Sequence, residues 1–157
     1  MAPRNATRSR PKDAIAMLRA DHQKVRQLFR AYRAAQDPAT QWEIAQHIFD
    51  ELDVHAQLEE VVFYQAVEEE TTSLGIRLVQ ESLEEHQEAL ALIQDLRSLA
   101  PGSPAFDNKF QALALTVEHH MTEEETEMFP LAEAEVGEDL QDMRDEMLHL
   151  KAHLLAS

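Results

Sequence analysis

Apolar residues recur at steps of three and four from Asp13 to nearly the end of the chain, which is the period of an amphipathic helix. Ile15, Leu18, His22, Val25, Phe29 and Tyr32 form a first stripe, and Asp37-Pro38 then supplies an N-cap and a first-turn proline. The second stripe runs Ile48, Leu52, His55, Glu59, Val62 and Ala66. After a polar break near residues 68 to 73, the third runs Ile76, Val79, Leu83, His86, Leu90 and Ile93. Residues 100 to 104 read as a loop with Ser103 capping the next helix and Pro104 at its first position. That fourth helix carries Phe106, Phe110, Leu113, Val117, His120, Glu124 and Met128, with Pro130 expected to stop it. A last stripe, Leu140, Met143, Met147, Leu150 and Leu154, predicts a helix over about 138 to 155. Short connections between long helices make antiparallel neighbours, so the expected fold is all-α: an up-and-down antiparallel four-helix bundle with an additional short C-terminal helix. The expected divisions are a disordered basic tail over 1–12, the bundle over 13–132, and a C-terminal helix packing on the bundle over 133–157.

Polar residues interrupt these stripes where a core wants leucine. Each of the first four has a histidine at an inward position, and the second and fourth add a glutamate one turn later. One such histidine alone would read as a hydrogen-bonded core residue. Two buried carboxylates are harder to place, because an uncompensated buried charge costs several kcal/mol. Depth along the bundle tests whether these groups share a partner, since each helical residue rises about 1.5 Å. His22 lies 16 residues before the turn at 38 and His55 17 after it; His86 and His120 each lie 17 from the turn at 103. About the middle turn at 71, His55 and His86 are 16 and 15 residues away. The four imidazoles therefore fall in one layer, with Glu59 and Glu124 one turn along toward the same end. The halves also repeat: His22, His55 and Glu59 map onto His86, His120 and Glu124 at offsets of 64, 65 and 65. Such pseudo-twofold symmetry fits a pair of metal ions, each half giving two imidazoles and one bridging carboxylate.

Composition narrows the chemistry. The 157 residues contain no cysteine, which removes disulfides, thiolate metal sites and a thiol nucleophile. Thirty acidic against 14 basic residues give a net charge of −16, a poor match for phosphate backbones or anionic lipid, so neither nucleic acid nor membrane is an expected partner. No apolar run approaches the roughly 18 residues of a membrane span, and the start lacks a secretory apolar segment. A cytoplasmic location is the expectation.

The set His22, His55-x3-Glu59, His86 and His120-x3-Glu124-x4-Phe129-Pro130 resembles the hemerythrin-like HHE cation-binding domains across about residues 13–132. The resemblance implies a helical bundle holding two iron ions, an oxo- or hydroxo-bridged di-iron centre with carboxylate bridges. A sulfur-free set of imidazoles and carboxylates is also one that iron accepts, as zinc would. Oxygen-carrying hemerythrins resemble this pattern but carry a further histidine where this chain has Leu90, and His-x4-Asp where it has His120-x3-Glu124. Two six-coordinate irons offer about twelve positions; imidazoles, bridging carboxylates and a bridging oxygen fill roughly ten, leaving about two for a further side chain, water or substrate. Tyr64 is the candidate seventh ligand or neighbour. A straight helix would turn it about 180° from His55, so ligation requires a bulge or unwinding near Gln65.

His119, Glu60, Glu123 and Glu125 adjoin the candidate ligands and are expected to be solvated or to support them from behind. His47, His149 and His153 fall outside the shared layer, and Phe63, Met128, Phe129 and Trp42 are read as packing. The function these readings imply is reaction with a small diatomic or peroxide ligand (oxygen, nitric oxide or hydrogen peroxide), with catalase-like disproportionation as one form. No catalytic group separate from the metal site is singled out, and buried Leu and Val walls are expected to exclude larger substrates. The alternatives are an oxygen or iron carrier or sensor using the same site, and a metal-free helical interaction module. The redox partner is unidentified, and the expected assembly is a monomer or weak homo-oligomer.

Overall fold

The computed structural model describes residues 11–156, so the basic tail expected over 1–12 lies outside the described residues except for Pro11 and Lys12. Helix α1 spans Ala14–Ala34 and α2 spans Pro38–Leu58; α2 passes through a π-helical segment, Glu59–Phe63, into α3, Tyr64–Glu70. After a two-residue break, α4 spans Ser73–Arg97. Helix α5, Pro104–Glu123, likewise passes through a π segment, Glu124–Met128, into α6, Phe129–Glu135, and a 3-10 turn over Gly137–Asp139 leads to α7, Leu140–Ala156. No strand occurs among the described residues, and the four rods form the expected bundle with α7 added.

The helix starts follow local chemistry. Asp13 accepts from the Ala16 amide at 2.9 Å, Asp37 from Thr40 at 2.9 Å and Ser103 from Phe106 at 3.2 Å, each satisfying a first-turn amide that has no helical partner. Pro130 does not stop the fourth rod. It sits in the first turn of α6, directly after the π segment has shifted the hydrogen-bond ladder, with the Phe129 amide reaching back to the Glu124 carbonyl. Two inward assignments in the third stripe also differ: Ile76 is 39% and Leu90 49% exposed. Both lie on a rod whose buried face is narrower than a full apolar stripe.

Two apolar clusters flank the histidine layer. One, built from residues such as Leu18, Leu58, Phe63, Val67, Phe129 and Met147, includes α7, which packs along α1 and the end of the second rod. The other gathers Val25, Phe29, Phe49, Ile93, Phe110 and Val117 toward the α1–α2 and α4–α5 turns. Gly75 is buried near the junction of the two halves, where an added Cβ would run into Thr71 Oγ1; that hydroxyl is itself bonded to the Val67 carbonyl at 2.5 Å. Gly75→Ala is expected to cost about 1–2 kcal/mol by displacing Thr71, read as a melting temperature lower by roughly 2–8 °C in a thermal scan. An unchanged midpoint would contradict that packing argument.

Candidate metal centre

Both π segments begin at the glutamate of a half-repeat, Glu59 in one and Glu124 in the other. Each widened turn rotates the residues beyond it by one position relative to an ordinary helix. Tyr64, which a straight helix would turn outward, is thereby brought in, 2% exposed and inside the cluster. The irregularity that its inward placement needed is present, but it precedes Tyr64 instead of lying near Gln65. In the other half the same device brings in Phe129, whose ring stacks on His22 at 5.7 Å.

The four imidazoles meet at one level. His22, His55, Glu59, His120 and Glu124 are each no more than 7% exposed, and His86 is nearly as enclosed. Each carboxylate turns one oxygen to each histidine pair. Glu59 Oε2 lies 3.3 Å from His55 Nε2, while its Oε1 lies 3.0 Å from His86 Nε2 and 3.6 Å from His120 Nε2. Glu124 Oε1 lies 3.1 Å from His22 Nε2, and its Oε2 lies 3.4 Å from His120 Nε2. The Tyr64 hydroxyl stands on the His86–His120 side, 2.9 Å from Glu59 Oε1 and 2.5 Å from Glu124 Oε2.

Behind the imidazoles stands a second ring of acids. His22 Nδ1 is 2.7 Å from Glu125, His55 Nδ1 2.9 Å from Asp21, His86 Nδ1 2.7 Å from Glu60 and His120 Nδ1 2.7 Å from Glu85. An ionised carboxylate only accepts, so each Nδ1 carries a hydrogen, and the Nε2 lone pair is the one left to face inward whenever an imidazole is neutral. This fixes the tautomer and raises the basicity of the inward nitrogen. Glu60 and Glu125 thus support the layer, as expected, whereas His119 and Glu123 pair with each other at the surface, 3.2 Å apart. Arg26 holds Glu125 with two bonds of 3.0 and 3.1 Å and also grips Glu118. Sequence reasoning passed over Asp21 and Glu85. The usable signal was the half-repeat itself, Asp21-His22-Gln23 against Glu85-His86-Gln87, which sets an acid before both histidines.

The donor set fits cations. Four imidazole Nε2 atoms and four carboxylate oxygens converge beside the Tyr64 hydroxyl, and His55 Nε2 and Glu59 Oε2 are buried with no hydrogen-bond partner. Within the layer, two sets of ligand atoms each fall within 4.8 Å: His22, His55, Glu59 and Glu124, and Glu59, His86 and His120; a third set, Glu85, His119 and Glu123, lies toward the surface. The two sets in the layer share Glu59, so two cations bridged by carboxylate could be held there.

Without a cation, protons must take its place. Burial lowers the His55 imidazole, but the facing Glu59 and Asp21 outweigh it and hold its pKa well above the ordinary value. Burial is likewise outweighed at His120, by Glu124, Glu59 and Glu85, and at His86, by Glu59 and Glu60. Burial pushes Glu59 up, yet His55 and its hydrogen-bonding neighbours pull it well below the usual carboxylate range. Burial and then the two carboxylates raise the Tyr64 phenol well above its ordinary value.

A cavity of about 430 Å³ opens on the other side of the layer, touching all four imidazoles but neither buried glutamate. Its apolar walls do not close over the site, contrary to the expectation that they exclude larger substrates.

Comparison with known proteins agrees with this picture. The profile of the Hemerythrin HHE cation binding domain matches residues 13–154. A crystal structure of a hemerythrin HHE cation binding domain-containing protein from Mycobacterium kansasii superposes with a TM-score of 0.74 at 20% identity, covering 92% of this chain and 90% of that one. A DNA nickase from Nostoc sp. is 31% identical over 113 residues, 72% of this chain. The matched stretch is 31% of the nickase's length. No helix among the described residues is long and apolar enough to cross a membrane.

Proposed function

The chain belongs to the hemerythrin HHE cation-binding domain family, and from that premise we propose that it is a di-iron protein reacting with small oxidants, with disproportionation of hydrogen peroxide the first activity to test. The observation that carries this reading is the placement of Glu59 and Glu124, each with one oxygen toward each imidazole pair. His22 and His55 would hold one iron and His86 and His120 the other, with both glutamates between them and Tyr64 on the second. Such a pair, when bound, supplies two electrons together, which matches the making or breaking of a peroxide bond.

The chain's own groups set the conditions. Asp21, Glu60, Glu85 and Glu125 retain the Nδ1 hydrogens, so the inward nitrogens are the ones that would give up a proton to a cation. The Arg26 guanidinium holds Glu125 in place from outside. The Tyr64 hydroxyl holds a proton between Glu59 Oε1 and Glu124 Oε2, a proton that bound cations would displace. Helix α7 and the apolar cluster beneath the carboxylates keep that end dry. The nickase relation does not move the reading toward nucleic acid: a net charge of −16 opposes phosphate contact, and most of that relative lies outside the match.

Anaerobic iron loading, metal counting and oxygen evolution from added peroxide test the proposal. About two irons per chain and oxygen release are expected; loaded protein that evolves none defeats the catalase form and leaves a carrier or sensor, whose mark is a reversible oxygen spectrum without turnover.

Proton competition gives a separate expectation. The raised imidazoles stabilise the metal-free fold below the unfolded histidine value of about 6.5 and lose this as pH rises through their folded values. The depressed Glu59 stabilises it above the unfolded value of about 4.3 and loses this as pH falls through its folded value. The chelated bundle is therefore most stable between about pH 4.5 and 6.5, while cations need neutral imidazoles and bind more tightly as pH rises. The gap in melting temperature between iron-loaded and chelated protein should widen from about pH 6 to 8.5. A constant or narrowing gap would contradict this proton balance.

A further inference from the structure

The cavity beside the histidine layer is far larger than a small oxidant needs. Its volume of about 430 Å³ is in the range of small-molecule pockets, and at about 30 Å³ per water it has room for on the order of ten non-hydrogen atoms. Phe49, Leu52, Leu83, Ala89, Ile93 and Val117 form apolar walls contributed by α2, α4 and α5. Its floor is the four imidazoles, approached from the face opposite Glu59 and Glu124. Asp50, Asp53 and Arg97 also line the cavity, and the Arg97 guanidinium lies over the Phe49 ring at 5.4 Å and 3.8 Å from Asp50. Glu60 and Glu85 add two more carboxylates to the lining.

Charge selects among occupants. Four acids against one arginine around the cavity disfavour an anion, and cations bound beneath the floor would disfavour a cationic guest. The apolar walls favour a body that leaves water, worth about 25 cal/mol per Å² of apolar surface covered. We infer that this cavity binds a neutral organic molecule of aromatic-ring size, an alcohol or hydroperoxide, with its apolar body between α2 and α4 and its oxygen end at the imidazole layer. The inference rests on the di-iron reading for its floor and widens the class of peroxide the site admits.

The test uses iron-loaded protein and 2-phenyl-2-propanol, the stable alcohol counterpart of an aromatic hydroperoxide, followed by titration calorimetry and saturation-transfer NMR. Saturable binding is expected, with benzoate and benzylamine, of similar size but charged, binding at least tenfold more weakly. Ala89→Phe and Leu52→Phe narrow the cavity from α4 and from α2, at positions that are not themselves proposed ligands. Each should weaken alcohol binding at least tenfold while keeping the iron count and optical spectrum; two walls are used so that a variant that misfolds leaves the other. No saturation with wild-type protein, equal binding by the correctly loaded filled variants, or no preference over the charged probes overturns the inference. Fewer than two irons in the wild-type preparation counts against the di-iron reading, which the metal count reports separately from alcohol binding.

Discussion

Glu59→Gln should reduce iron from about two ions per chain to at most one, and abolish the spectrum of a coupled pair. The substitution keeps the side chain's length and shape, so the bundle should still fold, but it exchanges a carboxylate oxygen for an amide nitrogen that cannot act as a ligand. Glu59 is fully buried and is the residue shared by both groups of ligand atoms, so either orientation of the amide starves one side. The loss should also appear as stability. A ligand present at a thousand times its dissociation constant stabilises by about 4 kcal/mol, and most of the iron-induced rise in melting temperature should vanish with the pair. Glu60→Gln is the graded comparison, because Glu60 supports the layer through His86 Nδ1 and is not one of the inward groups. Changes at such supporting positions weaken metal binding by about 10–100-fold without removing a ligand. Full iron content and an unaltered spectrum in Glu59→Gln would end the bridging assignment.

The gathering of His22, His55, His86 and His120 was legible because it depends on distance from turns, and turns are marked by Asp37-Pro38 and Ser103-Pro104. Counting residues at about 1.5 Å each converts those marks into depth without any knowledge of side-chain packing. The stretch beyond each glutamate was less legible. The π segments keep ordinary right-handed helical dihedrals at their borders, as at Leu58 and Glu123, and no proline or glycine within them marks the change. The insertion could be inferred only from what Tyr64 would need, and its position was then misjudged by a few residues. Asp21 and Glu85 were missed for a different reason. A helical wheel turns neighbours about 100° apart, which places an acid beside its own histidine off the inward face; the wheel is silent on the neighbouring helix, where Asp21 finds His55 and Glu85 finds His120. Leu90 and the cavity show the same limit. Periodicity reports which face is apolar, not whether two such faces close on each other, and between α2 and α4 they do not.

The half-repeat makes the remaining asymmetry interpretable. An offset of 65 carries Glu59 onto Glu124, one π segment onto the other, and Tyr64 onto Phe129. One imidazole pair therefore has a phenol beside it and the other a phenyl ring against His22. Tyr64→Phe makes the two sides alike, and its effect separates ligation from packing. Two irons should remain, since both imidazole pairs and both carboxylates are intact, but a visible tyrosinate-to-iron band in the oxidised wild-type protein should disappear completely. In chelated protein the change removes the hydroxyl shared by Glu59 Oε1 and Glu124 Oε2 and leaves them the facing imidazoles, at a cost of about 1–2 kcal/mol for the lost bond to a charged group. The chelated melting temperature should fall accordingly, by roughly 2–4 °C per kcal/mol, whereas iron-loaded protein has cations to hold those oxygens and should lose less. A tyrosine that only fills space would give no visible band in the wild type and equal losses in both forms, and that result would remove Tyr64 from the centre.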